Sequence, residues 1–507
     1  MSIRAQETMW KQLFELTSFS STSLQQQLRE TLVNAIFAGQ IASDAPLPSS
    51  RELAKQLGIS RNTVVLAYQR LVDEGILTTR QRSGYFVNDE ILESHVGQKT
   101  SATAGEGGQL DWPRRLKLKP SQQRNIVKPA DWQDYTYPFI YGQLDPALFP
   151  INDWRECCRQ TLSVKAIHQA ARDRIDIDDP LLVEQIQSRI LPRRGVWAAR
   201  EEILVTLGAQ QALYLLAQLL TDRSTVVGIE NPGYVDARNI ISSICTHLIP
   251  LAVDEHGLVV DQRLAMCDYL YVTPSHQAPT TVTLPMERRQ RLLDMSARDD
   301  FLIIEDDYES ESNYESAPIP ALKSLDRNGR VIYVGSLSKT LAPGFRLGYL
   351  VGSPELIREA RALRRLMVRH PPANNQRTIA LFLALGHHDA LISRLNRAYK
   401  ERWQIMREAL DRHLPQSSRM PVFGGTCYWV KGPPELDATA LSLSAREHGI
   451  LIEPGEVFFM QPDAPTNYFR LGFSYIGTDR IEPGIAELAR LIEQQGSASN
   501  HCLVSNR

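Results

Sequence analysis

The segment GSLSKTLAPGFRLGYLVG, residues 335–352, decides the fold of most of this 507-residue chain. It sets Lys339 among Ser336 and Ser338 and places Arg346 seven residues later, between two predicted strands. A lysine amine can form a Schiff base with the aldehyde of pyridoxal 5'-phosphate, while hydroxyls and a guanidinium hold the phosphate. We therefore predict a site for this cofactor, with Lys339 as the catalytic lysine and the other three residues as phosphate ligands.

The segment FLIIEDDYESE, residues 301–311, supplies candidates for the cofactor ring. A carboxylate at a strand end can bond the pyridine nitrogen and keep it protonated, and a nearby tyrosine hydroxyl can bond the phenolic oxygen. We assign these roles to Asp306 and Tyr308. Asp307 is the competing carboxylate, and its alternative role is a solvent-facing side chain.

Two segments further upstream add candidates for the phosphate and the ring face. In VTLGAQQALYLLAQLL a strand leads into a helix whose first residues are Gly208, Ala209 and Gln210, where free N–H groups and the positive dipole end favour a phosphate. In ENPGYVDAR, Tyr234 follows a strand, and its ring could stack on the cofactor or belong to the core. Near the C-terminus, NYFRLGFSYI places Arg470 on a strand, where its guanidinium could clamp the carboxylate of an effector.

From residue 135 to about residue 495, short β-rich runs alternate with helical stretches. The runs include ILVTL, STVVGI, DYLYVTP, FLIIEDD, RVIYVGS and RLGYLV. This alternation predicts an α/β domain with a mostly parallel sheet over residues 135–495. We expect residues 496–507 to be a loose tail.

Residues 20–88 show a different pattern. Leu24, Leu28 and Leu32 recur at helical spacing, and LPSSRELAKQLGISRNTVVLAYQRLVDEGILTTRQRSGYFV follows. This stretch predicts two helices separated by a turn at residues 58–60, and then a hairpin with Ser83 and Gly84 near its tip. A helix, a turn, a second helix and a β-wing form the layout of a winged helix-turn-helix, whose second helix enters the DNA major groove.

This stretch resembles the DNA-binding domain of GntR-type bacterial regulators. The resemblance implies a set of residues that face double-stranded DNA: Ser49, Arg51, Ser60, Arg61, Asn62 and Thr63, with Tyr68, Arg80, Arg82 and Gly84 as supporting helix and wing contacts. Polar side chains at the start of such a helix are short enough to read base edges, and arginines can fork onto guanine or phosphate. The alternatives are solvated surface side chains, or a head that binds another protein.

Residues 89–134 are predicted to be a linker. The net charge of the chain is −2, but residues 112–130 carry six Lys and Arg and no acidic residue, and residues 51–88 carry six against three acids. We therefore expect a basic head and a basic linker segment, with a mildly acidic body. Phosphate contacts from Arg114 to Lys128 are one hypothesis for this segment, and a solvated tether is the other.

Composition and targeting signals narrow the class of protein. The 43% hydrophobic and 22% charged residues exclude a mainly disordered or collagen-like chain. Six cysteines without a CxxC pair indicate neither a disulfide framework nor a metal site. No signal peptide or apolar run long enough to span a bilayer is visible, so we expect a cytoplasmic protein.

Taken in order, the strings of the second domain resemble fold type I aminotransferases, and their fusion to a GntR-type head resembles the MocR subfamily of bacterial transcription regulators. The resemblance implies an α/β chain with an N-terminal winged helix-turn-helix and a fold type I aminotransferase-like domain. That domain would have a mostly parallel large part and a smaller α+β C-terminal subdomain. The resemblance also implies bound pyridoxal 5'-phosphate, often a small effector, and a head-to-tail homodimer.

The chain departs from the family pattern at two places. DRIDIDDPLLV, residues 173–183, lacks the usual Tyr-Gly run and has Val183 where arginine is usual, and Thr281 replaces a glycine. These departures favour a sensor with at most vestigial transaminase activity over an efficient enzyme. We therefore predict a regulator that binds operator DNA and senses pyridoxal phosphate, an amine or an amino acid. The alternative is an active aminotransferase that carries an accessory DNA-binding domain.

Overall fold

The computed structural model describes residues 23–41, 46–80, 84–88, 111–309, 311–313, 319–419 and 424–505. The chain forms two compact units, Met1–Arg115 and Leu116–Arg507. The boundary between them falls within the predicted linker, residues 89–134, of which residues 89–110 lie outside the described part.

The first unit is a winged helix-turn-helix, as predicted. Its elements are α1 (Leu24–Phe37), α2 (Ser50–Leu57), α3 (Arg61–Asp73), β1 (Leu77–Arg80), β2 (Gly84–Val87) and the short α4 (Trp112–Arg115). Ser49 and Ser60 cap α2 and α3 by accepting from the backbone N–H three residues later, and Gly58 ends α2 in a left-handed conformation. Strands β1 and β2 pair antiparallel to form the wing.

The second unit contains the remaining described helices. They are α5 (Ile151–Thr161), α6 (Val164–Ala170), α7 (Pro180–Gln185), α8 (Ala209–Leu220), α9 (Val235–Ser242), α10 (Met286–Asp299), α11 (Leu322–Leu325), α12 (Pro354–Val368), α13 (Ala373–Ala384), α14 (His387–His413), α15 (Ala438–Glu447) and α16 (Thr478–Ser505). Helix α16 extends into residues 496–507, which we expected to be a loose tail. Among the described residues, no helix is both long enough and apolar enough to cross a membrane.

The described strands of the second unit form one large sheet and smaller ones. They are β3 (Tyr137–Pro138), β4 (Ile203–Thr206), β5 (Val226–Asn231), β6 (His247–Asp254), β7 (Gly257–Leu258), β8 (Tyr269–Val272), β9 (Leu302–Asp307), β10 (Val331–Ser336), β11 (Gly348–Val351), β12 (Ser418–Arg419), β13 (Cys427–Lys431), β14 (Ile450–Leu451), β15 (Glu453–Pro454) and β16 (Tyr468–Gly472). The large sheet has the order β4-β11-β10-β9-β8-β5-β6-β7, and only β11 and β7 run against the other strands of this described sheet.

This topology places one edge of the large sheet at the candidate site. The carboxyl ends of β9 and β10 lie side by side, because Asp306 pairs with Val334 and Asp307 with Gly335 in a parallel register. Ligands of open α/β sheets bind beyond the carboxyl ends of the strands. A second sheet, β12-β13-β16-β15, forms the smaller α+β part and contributes Arg470 from β16.

Candidate functional site

A cavity of about 300 Å³ lies beyond the carboxyl ends of β9 and β10. It is lined by nearly all the residues that the sequence predicts as cofactor or effector ligands: Ala209, Gln210, Tyr234, Asp306, Tyr308, Ser336, Ser338, Lys339, Arg346 and Arg470. Gly208, the remaining predicted ligand, caps α8 beside Arg346. The structure thus brings together predicted ligands from Gly208 to Arg470, which are 262 residues apart in the sequence.

Lys339 follows β10 and points into this cavity. Burial lowers the pKa of its amine to about 8, which leaves a larger fraction of the uncharged nucleophile near neutral pH than an exposed lysine has. Its Nζ lies 3.9 Å from the centre of the Tyr141 ring. Gly142 passes so close that a Cβ there would lie 2.5 Å from Nζ, and its φ of +75° also favours glycine.

Asp306 lies on the floor of the cavity. Its Oδ2 accepts a hydrogen bond of 2.8 Å from the Tyr271 hydroxyl, whereas Oδ1 is buried and has no hydrogen-bond partner among the described residues. Burial raises the pKa of the carboxyl to about 7, although the Tyr271 hydroxyl opposes the shift. A carboxylate in this state can accept a hydrogen bond from a protonated ring nitrogen.

Asp307, the competing carboxylate, belongs to the interior of the domain. Successive strand residues point to opposite faces of the sheet, and Asp307 accepts 2.7 Å hydrogen bonds from Arg194 Nε and the Tyr333 hydroxyl. Burial alone would raise its pKa, but these two partners outweigh burial and lower it. Asp307 is therefore not the solvent-facing side chain that we considered as its alternative.

The opposite end of the cavity offers groups suited to a phosphate. Gly208 has a φ of +79° and begins α8, and a Cβ there would lie 3.2 Å from Arg346 Nη2. Ser336 Oγ accepts from the Ser338 N–H at 3.2 Å. Ser338 Oγ is buried and, in the described part of the chain, makes no hydrogen bond.

The two predicted aromatic ligands lie in the cavity wall. Tyr234 precedes α9, and its hydroxyl donates to Asp236 at 3.0 Å. The Tyr308 ring centre lies 6.0 Å from Lys339 Nζ. Both rings border the space beside Lys339, where stacking and hydrogen bonding to a ring can occur.

Arg470 reaches the cavity already paired with an acid. Its Nε and Nη2 lie 2.7 and 2.6 Å from Glu453 Oε2 on the neighbouring strand β15. Burial would lower the pKa of Arg470, but Glu453 outweighs burial and raises it. One edge of the guanidinium is thus occupied, so the bidentate clamp that we expected is available to an effector only if Glu453 moves or another edge is used.

The donor set fits pyridoxal 5'-phosphate. Asp306 Oδ1 and Ser338 Oγ are buried polar atoms that lack partners among the described residues, and a bound cofactor would supply both. Arg346 and the start of α8 supply positive potential where a phosphate would lie. Pyridoxal phosphate matches these features by its ring nitrogen, its aldehyde and its phosphate.

The sequence analysis missed several residues of this site. Tyr271 supports Asp306, Tyr141 packs against Lys339, and Glu453 pairs with Arg470. Lys128, which we assigned to the linker, also lines the cavity. Tyr271 could have been found from the side-chain alternation of β8, whereas Glu453 depends on the pairing of β15 with β16, which the sequence does not reveal.

The head presents most of its predicted DNA contacts to solvent. The side chains of Arg51, Arg61 and Asn62 are exposed at the starts of α2 and α3. Ser60 Oγ lies 2.9 Å from Thr63 Oγ1, and both belong to the first turn of α3, while Ser49 caps α2.

Three other predicted DNA contacts have different positions. Tyr68 is fully buried and its hydroxyl donates to the Pro48 carbonyl at 3.0 Å, so it braces α3 and cannot touch DNA. Arg80 is exposed, and its guanidinium lies 4.2 Å from the centre of the Phe86 ring. Gly84, with φ of +101°, begins the second wing strand. Arg82 lies outside the described residues.

The two departures from the family pattern have structural roles. Asp178 is buried and contacts Arg361 and Arg364, at 2.8 and 2.6 Å, and Val183 lies in the core. Thr281 is buried with a φ of +63°, the left-handed conformation that suits the glycine it replaces.

The basic linker segment is partly bound to the body. Arg124 contacts Glu456 at 3.0 Å, and Lys128 donates to the Tyr141 carbonyl. These two cations are thus paired with groups of the body, and phosphate contacts from this segment remain a hypothesis. Arg114, Arg115, Lys117 and Lys119 are exposed.

Comparisons with known families divide the chain at the same boundary. Residues 24–87 match the model of bacterial regulatory proteins, gntR family, and residues 145–486 match aminotransferase class I and II. The two matched regions leave out the predicted linker and cover the head and most of the body.

Known relatives match either nearly the whole chain or about three quarters of it. The HTH-type transcriptional regulator TauR of Rhodobacter capsulatus is 42% identical over 479 residues, which cover 94% of this chain and 98% of TauR. The probable rhizopine catabolism regulatory protein MocR of Rhizobium meliloti is 32% identical and covers 77% of this chain and 78% of its own length. The crystal structure of LysN, an alpha-aminoadipate aminotransferase of Thermus thermophilus complexed with N-(5'-phosphopyridoxyl)-L-leucine, has 27% identity and a TM-score of 0.69. It covers 77% of this chain and 100% of LysN.

Proposed function

Because the chain belongs to the MocR-type regulators, which join a GntR-type winged helix-turn-helix to an aminotransferase class I and II domain, we propose that its body binds pyridoxal 5'-phosphate and senses a small amine. The chain is a DNA-binding transcription regulator. In the proposal, the effector is an amine, an amino acid or pyridoxal phosphate itself. Two chains act together as a head-to-tail homodimer, so that two heads meet two half-sites of an operator.

One observation carries the cofactor proposal: Asp306 Oδ1 is buried without a partner among the described residues, in the same cavity as the amine of Lys339. An unpaired buried acceptor costs about 1–3 kcal/mol, so a ligand that supplies a donor is favoured there. The Ser338 hydroxyl, which is buried and has no partner among the described residues, supports the proposal in the same way at the phosphate end of the cavity.

The residues of the chain divide the work. Pyridoxal phosphate, when bound, supplies an aldehyde that condenses with amines and a ring that withdraws electrons. Asp306 holds a proton on the ring nitrogen, and the Tyr271 hydroxyl orients Asp306. Ser338 and Arg346 bind the phosphate. Lys339, with its lowered pKa, supplies an uncharged amine near neutral pH.

Sensing requires that the effector bind one arrangement of the protein more tightly than another. An effector amine that took the place of Lys339 on the cofactor would leave the lysine amine free beside the Tyr141 ring. A free Lys339 amine would differ in protonation from a covalently bound one, and this difference would bias the equilibrium between the two arrangements.

The cofactor part of the proposal is tested with the full chain loaded with pyridoxal phosphate. We expect a visible absorbance band, and borohydride reduction should convert the bound cofactor into a covalent adduct that survives dialysis. Lys339→Ala should abolish the adduct. Lys323→Ala, a change at a lysine outside the cavity, is the control. An adduct that persists in Lys339→Ala would refute the assignment of the lysine.

The DNA part is tested by titrating the same protein against a fragment that spans the promoter of its own gene. We expect binding at moderate salt to exceed binding to a shuffled fragment, and the affinity to change when pyridoxal phosphate or an amine is added. Binding to neither fragment, with or without the cofactor, would favour a head that binds another protein.

Transamination is the second candidate function, because Lys339, Asp306 and Arg346 are also what an aminotransferase needs. We propose that this activity is at most vestigial, since Arg470 is engaged by Glu453 and the loop at residues 173–183 departs from the family pattern. Keto-acid formation from a panel of amino acids, with a second keto acid supplied as the acceptor of the amino group, measures it. Turnover at the rate of an ordinary enzyme, on the order of 1–1000 per second, would reverse the ranking.

A further inference from the structure

Residues 119–128, which we call the entry segment, lie within the predicted linker and are bound to the surface of the body. Gln123 Nε2 donates to the Asn239 carbonyl at 3.1 Å. Asn239 Nδ2 in turn donates to the Arg124 carbonyl at 3.0 Å and to Asn125 Oδ1 at 2.7 Å. Arg124 Nη2 donates to the Glu456 carbonyl at 2.8 Å. The entry segment is thus held in a defined path across helix α9 and the loop after β15.

The C-terminal end of the entry segment reaches the cavity that contains Lys339 and Arg470. Ile126 and Lys128 both line it. Lys128 Nζ donates to the carbonyl of Tyr141 and lies 3.8 Å from Glu453 Oε1. About a third of the Lys128 side chain remains exposed, at 31%. A cation that belongs to the linker by sequence is therefore a wall residue of the cavity.

Tyr141 connects Lys128 to the other two cations beside it. Its ring centre lies 3.9 Å from Lys339 Nζ and 4.1 Å from Arg470 Cζ, and its carbonyl accepts from Lys128. The cofactor lysine and the predicted carboxylate-binding arginine are consequently at most 8.0 Å apart through this ring. An amine of a few carbon atoms whose nitrogen lies beside Lys339 can place its other end near Arg470, and Lys128 lines the same cavity.

The charges at this end of the cavity do not balance. Glu453 faces both Arg470 and Lys128, and its Oε2 is used by Arg470. Oε1 is buried, with Lys128 Nζ 3.8 Å away and no hydrogen bond to any described residue. Around Tyr141 the described cations are Lys128, Lys339 and Arg470. The described carboxylates are Glu453 and Glu309, and Glu309 Oε2 accepts from the Tyr141 hydroxyl at 3.3 Å. The cations exceed these carboxylates by one, so one more negative charge would be balanced here. Burial lowers the pKa of Lys128, and Arg470 lowers it further although Glu453 opposes this.

We propose that Lys128 binds the acidic group of the effector, so that the effector is an amine that carries a singly charged acid, held between Lys128 and Arg470. The inference rests on the proposed function, because it needs the cofactor at Lys339. Since Lys128 lies on the entry segment, the residue that detects the acid belongs to the same stretch of chain that leads to the head. The alternative is that Lys128 only holds Tyr141 in place.

The test uses the full chain loaded with pyridoxal phosphate and pairs of probes that differ only in charge. The pairs are glycine and glycinamide, β-alanine and β-alaninamide, and 4-aminobutyrate and its amide. Each pair is titrated while the absorbance of the bound cofactor is followed, and the ratio of the two dissociation constants is the readout. We expect at least one acid to bind wild type about tenfold or more tightly than its amide.

Lys128→Met should reduce that ratio several-fold, with Arg470 responsible for the preference that remains, while the affinities for the amide and for pyridoxal phosphate are unchanged. Lys128→Arg should keep most of the preference. The matched control is Lys119→Met, an exposed lysine of the same segment, which should leave every constant unchanged. The amide titration also serves as the folding check, because a misfolded variant would lose it. If Lys128→Met does fail that check, Lys128→Gln is titrated in the same way.

Two outcomes overturn the inference: no acid preferred over its amide by wild type, or an undiminished preference in Lys128→Met and Lys128→Gln. Failure of the proposed function is seen separately, as a wild-type protein that forms no cofactor adduct at Lys339 or does not bind its promoter. A normal adduct and normal DNA binding, with an unchanged ratio, contradict only the role of Lys128.

Discussion

The predicted DNA-binding surface of the head and the cavity of the body hold their functional groups in opposite ways. Arg51, Arg61 and Asn62 project into solvent from helix starts that Ser49 and Ser60 cap. Asp306 is buried and Lys339 is half-buried, and desolvation shifts the pKa values of both toward neutrality. The head contributes an exposed set of donors, whereas the body contributes groups whose properties are set by the surrounding protein.

This difference indicates in which region a substitution can change binding without changing the stability of the fold. An exposed arginine contributes little to the fold, so its loss should affect the partner alone. A buried charge contributes to both, because removing one member of a buried pair leaves the other without compensation. Changes in the two regions should therefore give different combinations of lost binding and lost stability.

The largest expected effect is at Asp307, which would sharpen the contrast within the body itself. Asp307→Asn leaves the buried Arg194 guanidinium opposite a neutral amide, and we expect the free energy of unfolding to fall by about 3–5 kcal/mol. Asp306→Asn, its neighbour in the cavity, should weaken pyridoxal phosphate binding at a smaller cost in stability. Denaturant unfolding and cofactor titration measure the two quantities. Equal losses of stability in both variants would contradict a structural role for Asp307 that Asp306 does not share.

A smaller effect is expected at Arg61, where a substitution should weaken operator binding and leave the stability of the head unchanged. Arg61→Ala should weaken operator binding by about 1–3 kcal/mol if the side chain reads a base, with an unchanged melting temperature. Tyr68→Phe is the matched control: it removes the hydroxyl that donates to Pro48 and should lower the stability of the head by about 1 kcal/mol. Unchanged operator binding by Arg61→Ala would contradict the placement of α3 in the DNA groove.

The smallest effect concerns Thr281, a buried residue of the body that carries backbone strain. At its φ of +63°, glycine is favoured over alanine by about 1 kcal/mol, the reverse of the usual order. Thr281→Gly should therefore be more stable than Thr281→Ala by that amount in thermal unfolding. The cofactor absorbance should be the same in both. A more stable alanine variant would argue that this position is not left-handed.

The sequence predicted the architecture well because each element carries a local signal. The caps at Ser49 and Ser60, the glycine at position 58 and the alternating β-rich runs all depend on neighbours within a few residues. Strand β6 was missed, since Pro250 interrupts its apolar run and many of its side chains are partly exposed.

Site residues could be predicted from the sequence only where several reactive or polar side chains stand together in one short motif. Lys339, Ser338 and Arg346 stand in one segment, so the sequence alone grouped them. Lys128 was assigned to a linker by composition, although the structure places it in the cavity wall. The resemblance to GntR-type regulators placed Tyr68 among the supporting DNA contacts, but the helical period turns it into the core.

The position of Gly142 has a consequence for which mutations of this gene would abolish regulation. The residue has no functional group, yet any side chain there would occupy the place of the Lys339 amine. A random mutagenesis screen for lost regulation should therefore recover changes at codon 142 alongside changes at codon 339, although only one of the two codons specifies a reactive side chain. Intolerance to substitution at this position would report the space that the lysine needs, and a search for reactive residues would pass over it.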